Sequence, residues 1–433
     1  MKKAINYHGM SDKAMECCAR FQYSEKNKLL YDDMEINPNG LILITGNSGS
    51  GKSTLLNELA KEYGYRETIR VTDVEKRVID LLECSLDETI SLLSKAGLSE
   101  VPLFLTKYKD LSTGQKYRFD ILYSIVNGCN KIVLDEFCAY LDTITAQTCA
   151  YNFQKLFRNN NISVMAATCR TDLNNFFLAD SNYHIEESTI IKKKIGFNGN
   201  PFINDIQIKN GNYHDYIQFE KYHYAYDIDE EFYNEHKGII HTIYWKDIKI
   251  GIIMYISPYD NIEAESVPEF HCINEKISCI YRIILSPCFR GLGLTKMILK
   301  ESAKHVQQEF IYIFSAMAIY NKFVSRAGYI KLKPVDYRNE YEYRIVTEYE
   351  RYKRKMTQEE ILKAEIKLLA KIQYMWYARY CEIICKEMVF DFNSFFEYYD
   401  GVFDLTQIDA LREEMKYMEM GHYYIKNNTY EEK

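Results

Sequence analysis

Apolar runs and turn-forming clusters alternate along the first 190 or so residues. Leu41 to Thr45 (LILIT) is an unbroken apolar run behind the turn Asn37-Pro38-Asn39-Gly40, which predicts a buried strand. A glycine-rich loop follows, and STLLNELAKEY then sets Leu55, Leu56, Leu59 and Ala60 at helical spacing. KIVLDEF reads as a strand, TAQTCAYNFQKLF as a helix and ISVMAAT as a strand. Strands alternating with helices predict a parallel sheet covered by helices, an α/β domain over residues 1–196.

The pattern changes after the Gly-, Asn- and Pro-rich segment IGFNGNPFIND, which predicts a domain boundary. Residues 203–347 contain the hairpin-like stretch GIIHTIYWKDIKIGIIMYI. The strand ISCIYRIIL, a glycine loop, the helix TKMILKESAKHV and the strand FIYIFSA follow, an α+β grammar. From Thr357 the spacing turns helical, with Thr357 and Glu360 as a capping-box pair. Leu362, Leu369, Ile372, Trp376, Ile383 and Met388 form its apolar stripe, which predicts a helical extension over residues 357–433. No internal repeat occurs.

Composition narrows the class. Hydrophobic residues make up 47% and charged residues 27% of the 433, which excludes a disordered chain, and 19 Gly with 7 Pro exclude a fibrous repeat. No apolar stretch reaches the length of a bilayer span, and MKKAINYHGMSDK lacks the apolar region of a secretory signal. A net charge of −7 gives no global basic footprint for nucleic acid, although a local patch stays open. The clusters Lys192 to Lys194 and Arg351 to Lys355 read as solvated faces. The 12 cysteines show no CxxC spacing, and Cys381 and Cys385 read as core thiols on one helix face. These features predict a cytoplasmic protein with no membrane association.

The first candidate chemistry lies between the LILIT strand and its helix. Gly46-Asn47-Ser48-Gly49-Ser50-Gly51-Lys52-Ser53 fits G-x-x-x-x-G-K-[ST], and Thr54 follows in the helix's first turn. Glycines let backbone N–H groups converge on phosphate oxygens, and the helix N-terminus adds partial positive charge. Lys52 is expected to reach the β- and γ-phosphates of ATP, and the Ser53 hydroxyl to ligate Mg²⁺. Lys131 to Glu136 is an apolar strand ending in two carboxylates: Asp135 is expected to hold Mg²⁺ through water, and Glu136 to act as general base on the attacking water. Leu111-Ser112-Thr113-Gly114-Gln115 offers hydroxyl and amide donors at another helix start, and by itself reads as an N-cap.

In order and spacing, that last run resembles the signature motif of the ABC ATPases, and Ala139-Tyr140-Leu141-Asp142 resembles their D-loop. The resemblance covers about residues 20–195. It implies an ATP-dependent homodimer in which Ser112, Gly114 and Gln115 of one subunit complete the other's ATP site, with Asp142 facing the partner. Two departures stand out: no Gln lies between Ser53 and Gly114, and Cys169 and Arg170 occupy the place of the family's switch histidine. Slow hydrolysis, or a contact between Arg170 and the γ-phosphate, is the expectation. Phe21 or Tyr23 is the candidate for adenine stacking, and core packing is the equal alternative. The short spacing from Lys52 to Ser112 leaves little helical subdomain for docking on a transporter.

The second candidate chemistry is Arg290-Gly291-Leu292-Gly293-Leu294-Thr295, between a β-rich run and an amphipathic helix. Its glycines suit a pyrophosphate for the reasons given above. It resembles the acetyl-CoA motif of the GNAT acetyltransferases, with Thr295 where Gly or Ala is usual. The resemblance implies a split sheet, acetyl-CoA as cofactor and an unknown acyl acceptor. It also implies a tyrosine acid, for which Tyr320 is the candidate because Val324 fills the commoner position, and Asn321 as a further cofactor contact. No general base stands out; His223 is the best imidazole, with a structural role the competing reading. The whole order, with LSTGQKYRFDIL, LDEFCAYLD and YNKFVSRAGY, resembles soluble ABC-type ATPases fused to a GNAT-like domain. Two rival readings remain: a DNA-associated ATPase whose second domain is a recognition module, and a transporter ATPase.

Overall fold

The computed structural model describes residues 2–3, 11–21, 28–29, 37–186, 189–193, 199–223, 227–261, 265, 268–315, 317–318, 322–332, 336, 338–348, 352–353, 355–384, 391–394 and 422–428. The chain divides into two compact units: Met1–Asn204 with Pro287–Leu292, and Asp205–Ser286 with Gly293–Lys433. The expected boundary near residues 196–203 thus falls at 204, and a short segment from the second half joins the first unit.

The first unit is built on a five-stranded sheet. Its central strand β1 (Leu41–Gly46) is buried along its whole length, as its unbroken apolar run requires when both faces are covered. Helix α1 (Lys52–Tyr63) follows, then α2 (Leu86–Lys95), α3 (Thr113–Val126), β2 (Lys131–Leu134), α4 (Thr143–Asn159), β3 (Ser163–Thr168), β4 (Ser181–Glu186) and β5 (Thr189–Lys193). The strand order is β2-β3-β1-β4-β5, parallel except for the last pair. On one face, Leu55, Leu56 and Leu59 of α1 pack on Ile42, Ile44, Met165 and Tyr183. On the other, Phe119 of α3 and Phe153 and Phe157 of α4 pack on Leu41, Leu43, Ile132 and Leu134. Each such side chain stabilises the fold by about 1.5–3 kcal/mol. The sheet edge that matters is the C-terminal one, because β1 and β2 both open there into the loops carrying the candidate chemistry.

The second unit is a seven-stranded sheet. Its elements are β6 (Ile206–Asn210), α5 (Tyr213–Glu220), α6 (Glu230–Glu235), β7 (Ile239–Trp245), β8 (Ile248–Ile256), α7 (Pro268–Lys276) and β9 (Ile277–Leu285). Then come α8 (Leu294–Ala303), β10 (Phe310–Ser315), β11 (Ile330–Lys331), α9 (Tyr341–Thr347), α10 (Gln358–Ile384) and β12 (His422–Asn427). The strand order is β11-β12-β10-β9-β8-β7-β6. Among the described residues of this sheet only β9 and β10 pair in parallel, and their pairing covers Ile277 to Ile280 although β9 runs on to Leu285. Along β8 the register jumps from Met254–Arg282 to Tyr255–Ile280, so Tyr281 is an extra residue on β9.

One expectation needs correcting. The helical extension over 357–433 is helical in α10, but the chain returns as a strand: β12 pairs antiparallel with β10 and with β11, so it belongs to the second sheet. Of its expected apolar stripe, Leu369 and Ile372 are buried, and Met388 lies outside the described residues. Among the described residues, no helix is long and apolar enough to cross a membrane.

Candidate functional site

The glycine loop leaves β1 and closes on α1 through Gly51, the helix N-cap, at φ 96°. A side chain there would meet its own carbonyl, so glycine is the residue this turn requires. Lys52 is buried, and its Nζ donates to the carbonyl of Asn47 at 2.8 Å, drawing the amine across the mouth of its own loop. Ser50 Oγ is shielded from solvent and has no hydrogen-bond partner among the described residues.

The end of β2 brings its carboxylates to the same place. Ser53 Oγ donates to Asp135 Oδ1 at 3.1 Å across 82 positions of sequence, so the two expected Mg²⁺ ligands touch. Asp135 Oδ1 also accepts from the backbone N–H of Glu136 at 2.9 Å. Glu136 is exposed, with φ at 52°, which turns its side chain out of the strand direction. Phe137 N donates to Ala167 O at 2.8 Å and ties the following loop to the end of β3.

Ser112 caps α3. Its Oγ accepts from Gln115 N at 3.3 Å, and its own N–H donates to Gln115 Oε1 at 2.9 Å, a complete capping box. Ser112 is exposed and Gln115 half-buried, and the Ser112 hydroxyl keeps a proton to donate. Gly114 lies close under Leu141: a Cβ there would lie 2.7 Å from Leu141 Cδ2 and would push that side chain aside. The start of α3 and the loop after Glu136 are thereby packed together. Asp142 caps α4, accepting from Thr145 N at 3.0 Å. Burial raises its pKa, and hydrogen bonds from Thr145 and the helix's first amides outweigh that, so it is held below the usual aspartate value.

Arg170 does not stand free beside the phosphate loop. Its Nη1 donates to Leu141 O at 2.7 Å, and its Nε and Nη2 grip Asp172 at 3.3 and 3.0 Å. Asp172 was not legible as part of the site; its signal is only the spacing of two from Arg170. Phe21 is 79% exposed, and Tyr23 lies outside the described residues.

The second glycine run is anchored by its carbonyls, within the first unit. Arg290 O accepts from Asn152 Nδ2 at 2.9 Å, Gly291 O from Lys155 Nζ at 3.0 Å, and Leu292 O from Asn200 Nδ2 at 2.8 Å. Arg290 Nη1 donates to Ser99 O at 3.2 Å. Gly291 and Gly293 have φ of 79° and 80°, and Gly293 is the N-cap of α8, with Leu294 and Thr295 in its first turn. No hydrogen bond found among the described residues uses the N–H of Gly291, Leu292 or Gly293. Asn152 and Lys155, three apart on α4, were missed from sequence because their partners lie some 136 to 138 positions away. Tyr320 and Asn321 lie outside the described residues. His223 follows α5, its N–H bonded to Glu220 O at 2.8 Å, and Val324 is buried.

Known proteins add a local match. The family model for the P-loop containing region of AAA domain matches residues 27–60. No curated protein matches the chain. Among solved structures, it is similar to an ATP-binding cassette of an ABC transporter in its ADP conformation, at 20% identity over 36% of this chain and 81% of that one, TM-score 0.28. It is similar to a dimeric ATP-binding cassette in a post-hydrolysis state bound to ADP and Pi, at 18% over 45% and 97%, TM-score 0.32. It is also similar to a part of an ABC transporter complex from Clostridium perfringens, at 18% over 37% and 78%, TM-score 0.29. TM-scores this low carry no weight for function. What stands is an α/β fold carrying a P-loop region.

Proposed function

We propose that the first unit binds Mg·ATP and hydrolyses it in the manner of an ABC-type ATPase, and that the second unit takes acetyl-CoA and passes the acyl group to an acceptor. The observation that carries the first half is the contact between Ser53 Oγ and Asp135 Oδ1 at the foot of the glycine loop, with Glu136 next in sequence. Two hard oxygen donors side by side suit Mg²⁺ with water filling its remaining positions. The unpartnered Ser50 Oγ and the inward amine of Lys52 suit phosphate oxygens. Held by Ser53 and Asp135, Mg²⁺ would neutralise charge on the phosphates. Gly46 to Thr54 cradle the phosphates through backbone amides and hydroxyls. Lys52 offsets the charge of the γ-phosphoryl group, and Glu136 takes a proton from the water that attacks it as the bond to ADP breaks.

The signature-like start of α3 completes the picture in a homodimer. Ser112 and Gly114, with Gln115 holding Ser112, sit at the surface where a partner subunit's nucleotide is expected, with Asp142 nearby in sequence to the loop that packs on Gly114. This reading belongs in the cytoplasm, with no membrane partner. Purified protein is expected to release phosphate from ATP, and Lys52→Ala to abolish nucleotide binding in equilibrium titration. A wild-type chain that binds no nucleotide overturns the reading.

Three features support the second half: one parallel pair in an otherwise antiparallel sheet, pairing that stops at Ile280 while β9 continues, and a glycine loop opening α8. Engaged carbonyls and unengaged amides over Gly291 to Gly293 suit a diphosphate at a helix start. In the transfer step an acceptor nucleophile would form a bond to the acyl carbon as the carbon–sulfur bond breaks; Tyr320 would give its proton to the leaving thiolate, the acceptor would lose a proton to solvent, and solvent would return one to Tyr320. Acetyl-CoA is expected to bind in calorimetry, and Gly293→Val to remove that binding while ATP binding stays. Absence of acetyl-CoA binding leaves the second unit as a recognition module, nucleic acid included among its partners.

A further inference from the structure

We propose that Arg170 is a positioning residue for hydrolysis: it acts through the Leu141 carbonyl, fixing the loop between Glu136 and Asp142, and does not touch the triphosphate. This rests on the ATPase reading above.

The argument starts from backbone conformation. Glu136 and Cys138 both have positive φ, 52° and 57°. Non-glycine residues seldom hold that conformation, and two within three positions persist only where neighbouring contacts over-determine them. The loop has few such contacts of its own: Ala139 N to Glu136 O at 2.9 Å and Leu141 N to Cys138 O at 3.3 Å. The outer hold comes from α3, where Tyr117 Oη accepts from Cys138 N at 3.4 Å, and from β3 and the residues after it. Phe137 N bonds Ala167 O at 2.8 Å at one end of the loop, and Arg170 Nη1 bonds Leu141 O at 2.7 Å at the other.

The Arg170 side chain is itself fixed. It is only 15% exposed, its backbone N–H bonds Thr168 Oγ1, and both oxygens of Asp172 take its Nε–Nη2 edge. Asp172 Oδ2 also accepts from Gln147 Nε2 on α4 at 3.2 Å, so the clamp closes on the helix that Asp142 caps. A guanidinium gripped edge-on by a carboxylate has its charge compensated and its fork oriented. To reach a phosphate it would have to break all three bonds. Held as it is, it sets the carbonyl immediately before Asp142 and, through Leu141, the contact with Gly114.

The test compares the full-length wild type with Arg170→Ala, Arg170→Lys, Asp172→Asn and the double variant Arg170→Ala/Asp172→Asn. ATP turnover gives kcat and KM, a fluorescent ATP analogue gives affinity, and hydrogen exchange follows residues 137–142 against residues 46–54. Positioning predicts that Arg170→Ala and Asp172→Asn each lower kcat by about 10–100-fold with affinity changed less than about twofold. The double variant is no slower than Arg170→Ala, and Arg170→Lys, which can hold one partner only, falls between. Exchange over 137–142 rises in both single variants, while 46–54 is unchanged. A phosphate contact predicts the opposite for Asp172→Asn: freeing the arginine keeps or raises turnover, while Arg170→Ala weakens ATP binding about tenfold or more. That pair of results overturns the proposal. Absent turnover in wild type refutes the ATPase reading alone, and the exchange arm then decides the clamp, with unchanged exchange over 137–142 overturning it.

Discussion

His241 sits in an environment at odds with its chemistry. It lies in β7, 3% exposed, and neither ring nitrogen has a hydrogen-bond partner among the described residues. Its ring centre is 5.3 Å from that of His305 and 6.0 Å from that of Tyr255. Burial first, and His305 second, depress its pKa below the ordinary 6.5. In the unfolded chain the imidazole takes up a proton at a higher pH than in the native one. The stability tied to His241 is therefore fully present above pH 6.5 and is lost as pH falls from there through the depressed value. The temperature of thermal unfolding is expected to drop as pH falls below about 6.5. His241→Leu is expected to flatten that drop and to raise stability by about 1–2 kcal/mol, since an unpaired buried polar group is removed. An equally steep drop in the variant would place the pH dependence elsewhere. Asp142 shows the reverse sign. Its lowered pKa stabilises the fold above the ordinary 3.8 and that contribution fades as pH falls below it. Asp142→Ala is expected to cost about 1 kcal/mol in denaturant unfolding, through loss of the α4 cap.

Elements differ in how far sequence discloses them. The capping box at Thr357 is met in the structure: Glu360 N donates to Thr357 Oγ1 at 3.2 Å and Thr357 N to Glu360 Oε2 at 2.7 Å. β1, α1, β2 and β3 were equally legible, because each is marked by local spacing and by turn residues. β12 was not. Six residues rich in tyrosine carry little periodicity, and their pairing partners lie about a hundred positions upstream. The site divides the same way. The meeting of Ser53 with Asp135 was legible from motif order, whereas Asp172, Asn152 and Lys155 contact loops distant in sequence or backbone atoms, which no side-chain pattern records. α9 packs on α10 through Ile345 against Ile361 and Ala364 and through a half-buried ion cluster: Lys371 Nζ reaches Glu340 at 2.7 Å and Glu342 at 2.6 Å, with Lys367 at 3.6 Å from Glu342. Burial raises the pKa of Glu342, and Lys371 outweighs it. Lys371→Met strands two carboxylates and is expected to destabilise the second unit by about 3 kcal/mol in urea unfolding. A loss under about 1 kcal/mol would show the cluster to be solvated.

The whole molecule carries two glycine loops at helix starts, one opening α1 and one opening α8, on a single chain. On the reading proposed above, the coupling between them is ATP-dependent acyl transfer. Equal transfer rates with and without ATP would sever that link while leaving each site intact. The central claim is narrower: Lys52, Ser53, Asp135 and Glu136 form one hydrolytic centre. Its most direct measurement is ATP turnover and ATP binding in wild type and in Glu136→Gln, followed by light scattering in the presence of ATP. The account predicts turnover about 10²–10⁴-fold slower in the variant, binding unchanged, and a dimer that persists with ATP. Turnover in Glu136→Gln equal to wild type would contradict it.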